Sequence, residues 1–344
     1  LTVLAVSFVG WRMTKLLTLR AVTLNNLFTA QASRPLWAVV GEAVNGLWAG
    51  YQSPPATQHW LLLGTDAVDG SHRNVVFTDT MMLVTYQPRS HTLSLLNLPR
   101  DLYLPDVATK INALYTYGLE QQPDQPLALL TSTLNHWLGI FLDHVVVISL
   151  DDVQALIDTI GGINIDVPEA FTDPLFPRSG VDVTKEHDPK LLYESISFAA
   201  GLQHMDGTKA LKYMRSRHSA NLAEGTDVAR NRRQQQVIAA TLAALKRPEI
   251  VANANVWGKL YRWYAERFAA QISLDEVGYF LGMMSQSKKM PTLKTTILPV
   301  TNEAVATVSG TILVHPPSEK YSGQWVYELA DPTGQALQDF VRDL

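Results

Sequence analysis

The sequence predicts an α/β fold in which a mixed central β-sheet is covered by helices on both faces. Three observations predict it. Segments of helical spacing alternate with short apolar runs of strand character along most of the chain. Two of those runs, residues 80–86 and Thr92–Leu98, flank the turn Gln87-Pro88-Arg89-Ser90 and form a hairpin, so the sheet is not purely parallel. Of the 344 residues, 47% are hydrophobic, enough to fill the core of a large domain.

Residues 1–11, LTVLAVSFVGW, are uncharged and apolar, and Arg12 and Lys15 follow. A full membrane span takes about 20 apolar residues, so the run reads as the trailing end of a span, with a helix lying on a membrane surface as the alternative. A helix over residues 36–51 is broken by Ser53-Pro54-Pro55. Residues 59–64 read as the first buried strand, closed by Gly64, and the hairpin strands come next. Leu127, Leu130, Leu134 and Leu138 recur at helical spacing over residues 125–138. Residues 145–148 return to strand. A helix over residues 149–160 has Ser149 or Asp151 as its cap and Gly161-Gly162 as its stop, and a strand over residues 163–167 follows. Residues 173–189, rich in proline and charge, read as a loop that leads to a weak strand near Phe198. Then come a short helix over residues 207–214, a polar loop over residues 216–225, and a long helix over residues 226–246 stopped by Pro248. Helices over residues 254–270 and 273–285, a strand over residues 295–300 and a polar tail punctuated by Gly and Pro complete the chain.

Composition narrows the function classes. The formal net charge is -4, from 28 basic and 32 acidic side chains, which excludes a wholesale polyanion binder. No cysteine is present, so disulfide staples, thiolate metal sites and cysteine nucleophiles are excluded. There is no phosphate-binding G-x-x-x-x-G-K-[ST] loop, no H-E-x-x-H and no G-x-S-x-G. Zinc-ligand spacing and aromatic RNA-binding strands are also missing.

Two groups of residues carry chemistry. Asp66 and Asp79 stand just outside buried strands, where two carboxylates at one sheet edge suit Mg²⁺ brought in with a phosphate; the plainer reading is turn or helix capping. Arginine is the second group. Arg100 emerges at the end of the strand Thr92–Leu98, Arg215 and Arg217 precede the polar loop, and Arg230, Arg232 and Arg233 crowd the opening turns of the long helix. Arg230 and Gln234 are four apart and share a face. A guanidinium donates paired hydrogen bonds to phosphate oxygens and stays charged, and a helix N-terminus favours anions. Because these arginines come from separate elements, a compact anion pocket fits them better than a solvated basic face. His204 and His218 flank the region as loop histidines.

At these residues the sequence resembles the LytR-CpsA-Psr (LCP) family of bacterial cell-envelope phosphotransferases. Seven segments carry the resemblance in order: LLLGTDA, TDTMMLV, SLLNLPRDLYLP, KINALYTYG, DTIGGINIDVP, AAGLQHMDGTKALKYMRSR and DVARNRRQQQVIAA. The resemblance implies an α-β-α sandwich, and transfer of a glycopolymer from a polyprenyl-diphosphate carrier to peptidoglycan or a similar wall acceptor, leaving a phosphodiester and releasing polyprenyl phosphate. It implies a single-pass membrane protein with its catalytic domain outside the cytoplasm. The parts would be an anchor remnant and juxtamembrane helix (1–28), a linker and helix (29–55), the catalytic domain (56–310) and a C-terminal tail (311–344). Hydrolysis of the diphosphate carrier, or non-catalytic binding of lipid phosphate, is the alternative.

Residue by residue, the resemblance implies that Asp66 and Asp79 hold Mg²⁺ or Mn²⁺. Arg73, Arg100, Lys110, Arg215, Arg217 and Arg230 would bind the diphosphate, with Gln234 donating beside them. Asn112 falls in the K-I-N motif, and Asp227 would orient the arginines. Asp79 or Asp101 would take the acceptor's proton, next to Arg100 as the third catalytic residue. Leu134, Leu138, Ile157, Ile160, Val237 and Leu242 would wall a channel for the lipid, with plain core as the alternative for any of them. One position departs from the family pattern, because Phe77 stands where arginine is common; one cation fewer would weaken charge neutralisation unless Arg73 replaces it.

Overall fold

The computed structural model describes residues 36–53, 56–65, 77–178, 181, 188–219, 221, 224–286, 291–302 and 310–344. The expected anchor remnant, Asp66 and Arg73 lie outside them. No helix among the described residues is long and apolar enough to cross a membrane.

Helix α1 (Leu36–Gln52) leads into strand β1 (Gln58–Thr65), and the hairpin follows as β2 (Thr78–Gln87) and β3 (Thr92–Leu98). A two-stranded ribbon, β4 (Tyr103–Leu104) and β5 (Thr109–Lys110), turns the chain into α2 (Leu114–Gln121) and α3 (Ala128–Leu138). Strand β6 (His144–Ser149) runs into α4 (Leu150–Thr159). Here Ser149 forms a capping box: its hydroxyl accepts from the Asp152 N–H while the Asp152 carboxylate accepts from the Ser149 N–H. Gly161 and Gly162, at φ 74° and 86°, turn the chain from α4 into β7 (Ile163–Val167). Next come β8 (Phe171–Pro177), α5 (Pro189–Leu192), β9 (Tyr193–Phe198), β10 (Gly201–Met205), α6 (Gly207–Arg215) and the long α7 (Asp227–Ala244). Helices α8 (Pro248–Val251), α9 (Ala254–Arg267) and α10 (Leu274–Ser285) precede β11 (Thr292–Ile297) and β12 (Val300–Asn302). The chain finishes through β13 (Leu313–His315), β14 (Glu328–Leu329) and α11 (Gln335–Arg342).

The central sheet has the order β11-β3-β2-β1-β6. β1 pairs parallel with β6 and β3 parallel with β11, whereas β2 is antiparallel to both of its neighbours. Four strands therefore deliver their carboxyl ends, and β2 its amino end, to one edge. In sheets of this kind that edge is where ligands bind.

Alternation along the strands sends side chains to two helical layers. Leu61, Leu63, Met81, Leu83, Leu96 and Leu98 pack with Leu114, Leu130, Leu134, Trp137, Leu337 and Val341, so α2, α3 and α11 cover one face. On the other face Trp60, Leu62 and Val146 meet Phe268 and Ile272, while Tyr86 and Leu93 meet Met283. Burial on both faces explains why the strands read as continuous apolar runs. Each such side chain contributes roughly 1.5–3 kcal/mol. A second core, built from α4, β7 to β10, α6 and α7, centres on Ile157, Ile163, Phe198, Met205 and Val237.

The expected sandwich is present, and five expectations need correction. Residues 173–177 are not loop: they belong to β8, paired antiparallel with β9, and Pro174 is tolerated at a register irregularity between Asp173 and Phe176. Pro248 does not end α7, which stops at Ala244; it opens α8 at a first-turn position, where a missing N–H costs nothing. β11 starts at Thr292 and ends at Ile297, and Pro299 separates it from β12. The stretch past residue 310 is no tail, since Ile312, Leu313, Leu337, Val341 and Leu344 belong to the core under β1 to β3. Finally, the residues expected to wall a lipid channel are divided between the two cores: Leu134 and Leu138 lie in one and Ile157, Ile160 and Val237 in the other, while Leu242 is exposed.

Candidate active site

Asp79 opens β2 and Arg100 follows β3, so the hairpin alone brings them to one edge of the sheet. Arg100 Nη1 lies 2.9 Å from Asp79 Oδ1, and its Nε lies 3.3 Å from Asp101 Oδ2. The second oxygen of Asp101 accepts from Lys110 Nζ at 2.8 Å. The K-I-N segment is stitched to the strand ends through its backbone: the Asn112 N–H donates to the Arg100 carbonyl at 3.3 Å, and Thr78 donates its hydroxyl to the Asn112 carbonyl at 3.3 Å. Two cations and two carboxylates thus alternate along a partly solvated row. Pairs of this exposure contribute only about 0–1 kcal/mol each to stability, so the row is better placed to handle charge than to hold the fold.

A continuous chain of contacts links this row to the other arginines. Gln234 donates from Nε2 to Thr80, the neighbour but one of Thr78, at 3.0 Å and accepts from Asn97 at 3.1 Å. Gln235 donates to Asn97 Oδ1 at 3.0 Å. These bonds pin α7 across the sheet beside Asp79, and Arg230, one turn earlier on the same face, is carried about 6 Å toward the N-terminal end of the helix. Arg233, next to Gln234, donates to the Ser216 carbonyl, so the segment between Arg215 and Arg217 is held against α7.

Arg233 holds the arginine loop from inside the fold, a role that the sequence does not disclose. It is 0% exposed, pairs with Glu224 Oε2 at 2.6 Å, donates to the Glu224 carbonyl at 3.2 Å, and lies 4.8 Å over the Phe171 ring. Burial lowers its pKa and Glu224 counters the shift. Arg232 pairs with the other oxygen of Glu224. Tyr213, close by, is pushed up to about 12 by burial and donates its hydroxyl to Gln236 at 2.7 Å, so it is a neutral phenol. A run of arginines in sequence does not distinguish the one that folds inward; only a carboxylate eight or nine residues upstream, Glu224, hints at it.

Asp173 anchors the loop from its other side. It is fully buried and accepts from the Ser216 hydroxyl at 2.8 Å and from the N–H groups of Arg217, His218 and Leu175 at 3.0, 3.1 and 3.0 Å. Burial by itself would raise its pKa, but these donors outweigh burial and the net shift is downward.

The remaining expected residues fall as follows. The side chains of Arg215 and Arg217 are partly buried, Arg215 lies 5.6 Å over Phe176, and neither guanidinium has a carboxylate partner among the described residues. Gln234, expected as a diphosphate donor, is 5% exposed, and its bonds to Thr80 and Asn97 position α7. His204 is on β10, bonded to Asn164 at 2.8 Å, whereas His218 joins the loop through its N–H to Asp173. The cap of α7 is Thr226, which accepts from Ala229 N–H at 3.1 Å; the Asp227 side chain lies outside the described residues. Phe77 is 42% exposed, two residues from Asp79, and adds apolar surface instead of charge.

Among the described residues no group of three His, Asp or Glu side chains could cage a metal. Mg²⁺ does not need one, because it is commonly held by one or two carboxylates together with substrate phosphates, and the partly exposed, hard-oxygen Asp79 fits that requirement.

Comparison with known proteins bears on the family and the fold. The chain is 28% identical over 228 residues to the polyisoprenyl-teichoic acid–peptidoglycan teichoic acid transferase TagV of Bacillus subtilis, covering 64% of this chain and 51% of that protein. It spans about half the length of the curated relatives it matches. The crystal structure of B. subtilis TagV superposes with a TM-score of 0.54 at 21% identity, over 85% of this chain and 98% of that one. A structure of TagT bound to LIIa-WTA gives 0.53 at 17% identity, over 86% and 91%. These structures share the fold. The model of the LytR_cpsA_psr family matches residues 49–325, a span that holds both the Asp79–Arg100 row and the arginine loop, and the chain belongs to that family, the LytR-CpsA-Psr proteins.

Proposed function

We propose that this protein transfers a glycopolymer from a polyprenyl-diphosphate carrier to a cell-wall glycan, leaving the polymer on a phosphodiester and releasing polyprenyl phosphate. One observation carries the reading. An ion-pair row, Asp79–Arg100–Asp101–Lys110, lies at the ligand-binding edge of the sheet, and contacts through Gln234 and Arg233 tie it to a loop bearing Arg215 and Arg217. The names of its relatives, transferases of teichoic acid to peptidoglycan, support the substrate class.

In the reaction an acceptor sugar hydroxyl attacks the phosphorus that carries the glycan. A new oxygen–phosphorus bond forms, the bond to the bridging oxygen of the diphosphate breaks, and the lipid leaves as its monophosphate. The hydroxyl's proton passes to a carboxylate, Asp101 or Asp79. The guanidinium groups of Arg100, Arg215, Arg217 and Arg230 neutralise oxygens of the diphosphate as charge builds on the leaving phosphate, and Lys110 holds Asp101 in place. Mg²⁺, held by Asp79 and by Asp66, would supply further neutralisation of phosphate charge. The expected location is the outer side of the cell membrane, with the apolar residues 1–11 as part of an anchor.

The test is transfer from a lipid-linked glycan to peptidoglycan oligomers. Arg100→Ala and Asp79→Ala should each lower the rate by roughly a hundredfold or more. Activity that survives both changes sinks the assignment, and release of free phosphorylated glycan without an acceptor product would mean that water is the acceptor.

A further inference from the structure

We infer that the outward face of α1, formed by Val44, Trp48 and Tyr51, seats on a lipid surface with anionic headgroups. The inference rests on the membrane location in the proposed function and adds which part of the folded domain touches the bilayer.

α1 is apolar on two sides, and packing uses one of them. Val39 is buried, and Gly46 and Gly50 face the α10 backbone. Val44, Trp48 and Tyr51 follow one another at i, i+4 and i+7, and the helical turn sets that stripe on the side away from Gly46 and Gly50. The three are 54%, 48% and 37% exposed, and the Trp48 and Tyr51 rings stack with centroids 6.0 Å apart. Glu42 is the one charged residue in the helix. A helix that packs on a domain needs a single apolar stripe, so the second belongs to a different contact.

Charge and chain continuity name the occupant. α1 continues directly from residues 1–35, which carry Arg12, Lys15, Arg20 and Arg34 and no acidic side chain, in a chain whose net charge is -4. Cations gathered in front of an apolar stripe complement anionic headgroups. Trp and Tyr suit that boundary because each has an apolar body and a polar end. The apolar run 1–11, on the same stretch of chain, tethers α1 near the bilayer and raises the local concentration of lipid at the stripe. Three side chains fall short of the ~800 Å² per partner that a stable dimer takes. Gly46 and Ala49 line a cavity with Gln58, Asp143 and His144, so α1 lies by the entry ends of β1 and β6. The ion-pair row is at the other ends of the strands, and a seated α1 leaves it up to about 25 Å, one strand length, from the bilayer. A polyprenyl-linked diphosphate then reaches the row with its chain drawn out of the lipid.

The chain has no cysteine, so a single one can be placed and carry a nitroxide. The experiment labels the full chain as Val44→Cys and, for control, as Ala49→Cys, exposed on another side of α1. Each is mixed with phosphatidylglycerol vesicles, and collisions of the label with an aqueous nickel chelate are measured by electron paramagnetic resonance. Lipid should lower nickel access at Val44 roughly tenfold and leave Ala49 within about twofold, with a smaller change at Val44 in phosphatidylcholine. The proposal is overturned if Val44 on vesicle-bound chain stays as accessible as Ala49, or if phosphatidylcholine protects it equally. Protection of Val44 without lipid also overturns it: with spin–spin broadening a second copy covers the stripe, and without broadening residues 1–35 do. Failure of the membrane location looks different, since the chain then floats with neither kind of vesicle and both proposals fall.

Discussion

Arg233 and Asp173 hold one loop from two directions, and their chemistry predicts different failures. Removing one partner of a buried ion pair leaves the other charge desolvated, at a cost of about 3–5 kcal/mol. Arg233→Met should therefore lower unfolding stability in urea by that amount, because Glu224 stays buried without its main partner. Arg233→Lys should recover only part of the loss. A lysine is a point charge and does not span Glu224 and the Ser216 carbonyl as the planar fork does. Asp173 predicts a pH effect. Its carboxyl is held below the usual aspartate range, so its stabilising contribution is present above about pH 4 and is lost as pH falls through the lower folded value. Asp173→Asn should melt at lower temperature than wild type at neutral pH, with the gap narrowing under acid. A gap that stays constant down to low pH would refute the assignment of that stability to the ionised carboxylate.

Among the elements, α7 and the α1–α10 pair stand out. α7 serves two cores at once, through Val237 on one side and the Gln234–Gln235 amides on the other, which is why a helix with no clean apolar stripe is stable here. α1 is fastened differently. Gly46 and Gly50 face the Asp275 and Tyr279 carbonyls of α10, and Gly278 and Gly282 face the Ala43 and Leu47 carbonyls of α1; a Cβ at any of the four would collide with backbone. Two G-x-x-x-G pairs thus let the helices approach backbone to backbone, a device familiar from membrane helices. Gly50→Leu or Gly282→Leu should pry α1 away, and hydrogen exchange should then show lost protection across residues 36–52 while β1 to β3 stay protected. Unchanged exchange in α1 would show that the contact is dispensable.

For the whole molecule, the segment beyond residue 310 closes the fold. Leu313, Leu337 and Val341 sit in the core under β1 to β3, and Ser94 on β3 donates to the Leu344 carbonyl at 2.9 Å. At roughly 1.5–3 kcal/mol for each buried side chain, losing them consumes most of the ~5–15 kcal/mol that keeps a typical domain folded. A chain ending at residue 310 should be unfolded by circular dichroism at 25 °C, roughly room temperature for these scales. The same segment also braces the Asp101 end of the ion-pair row, where the Tyr327 N–H donates to the Asp101 carbonyl at 2.9 Å.

Much of the fold was legible from local pattern. Unbroken apolar runs marked β1 to β3 because those strands are buried on both faces, and the Ser149 cap and the Gly161-Gly162 stop bounded α4 because capping is local chemistry. The motif order identified Asp79, Arg100, Asp101 and Lys110 as a group, and the hairpin made their meeting a short-range matter. By contrast, the inward turn of Arg233, the burial of Asp173 and the core role of residues 312–344 were decided by tertiary structure. Each depends on partners far away or out of pattern: Glu224 and Phe171 for Arg233, the 216–218 loop for Asp173, and β3 for the C-terminal residues. Local propensity reports what a segment prefers by itself. Whether a polar side chain can be buried depends on donors and acceptors that only the folded chain brings to it.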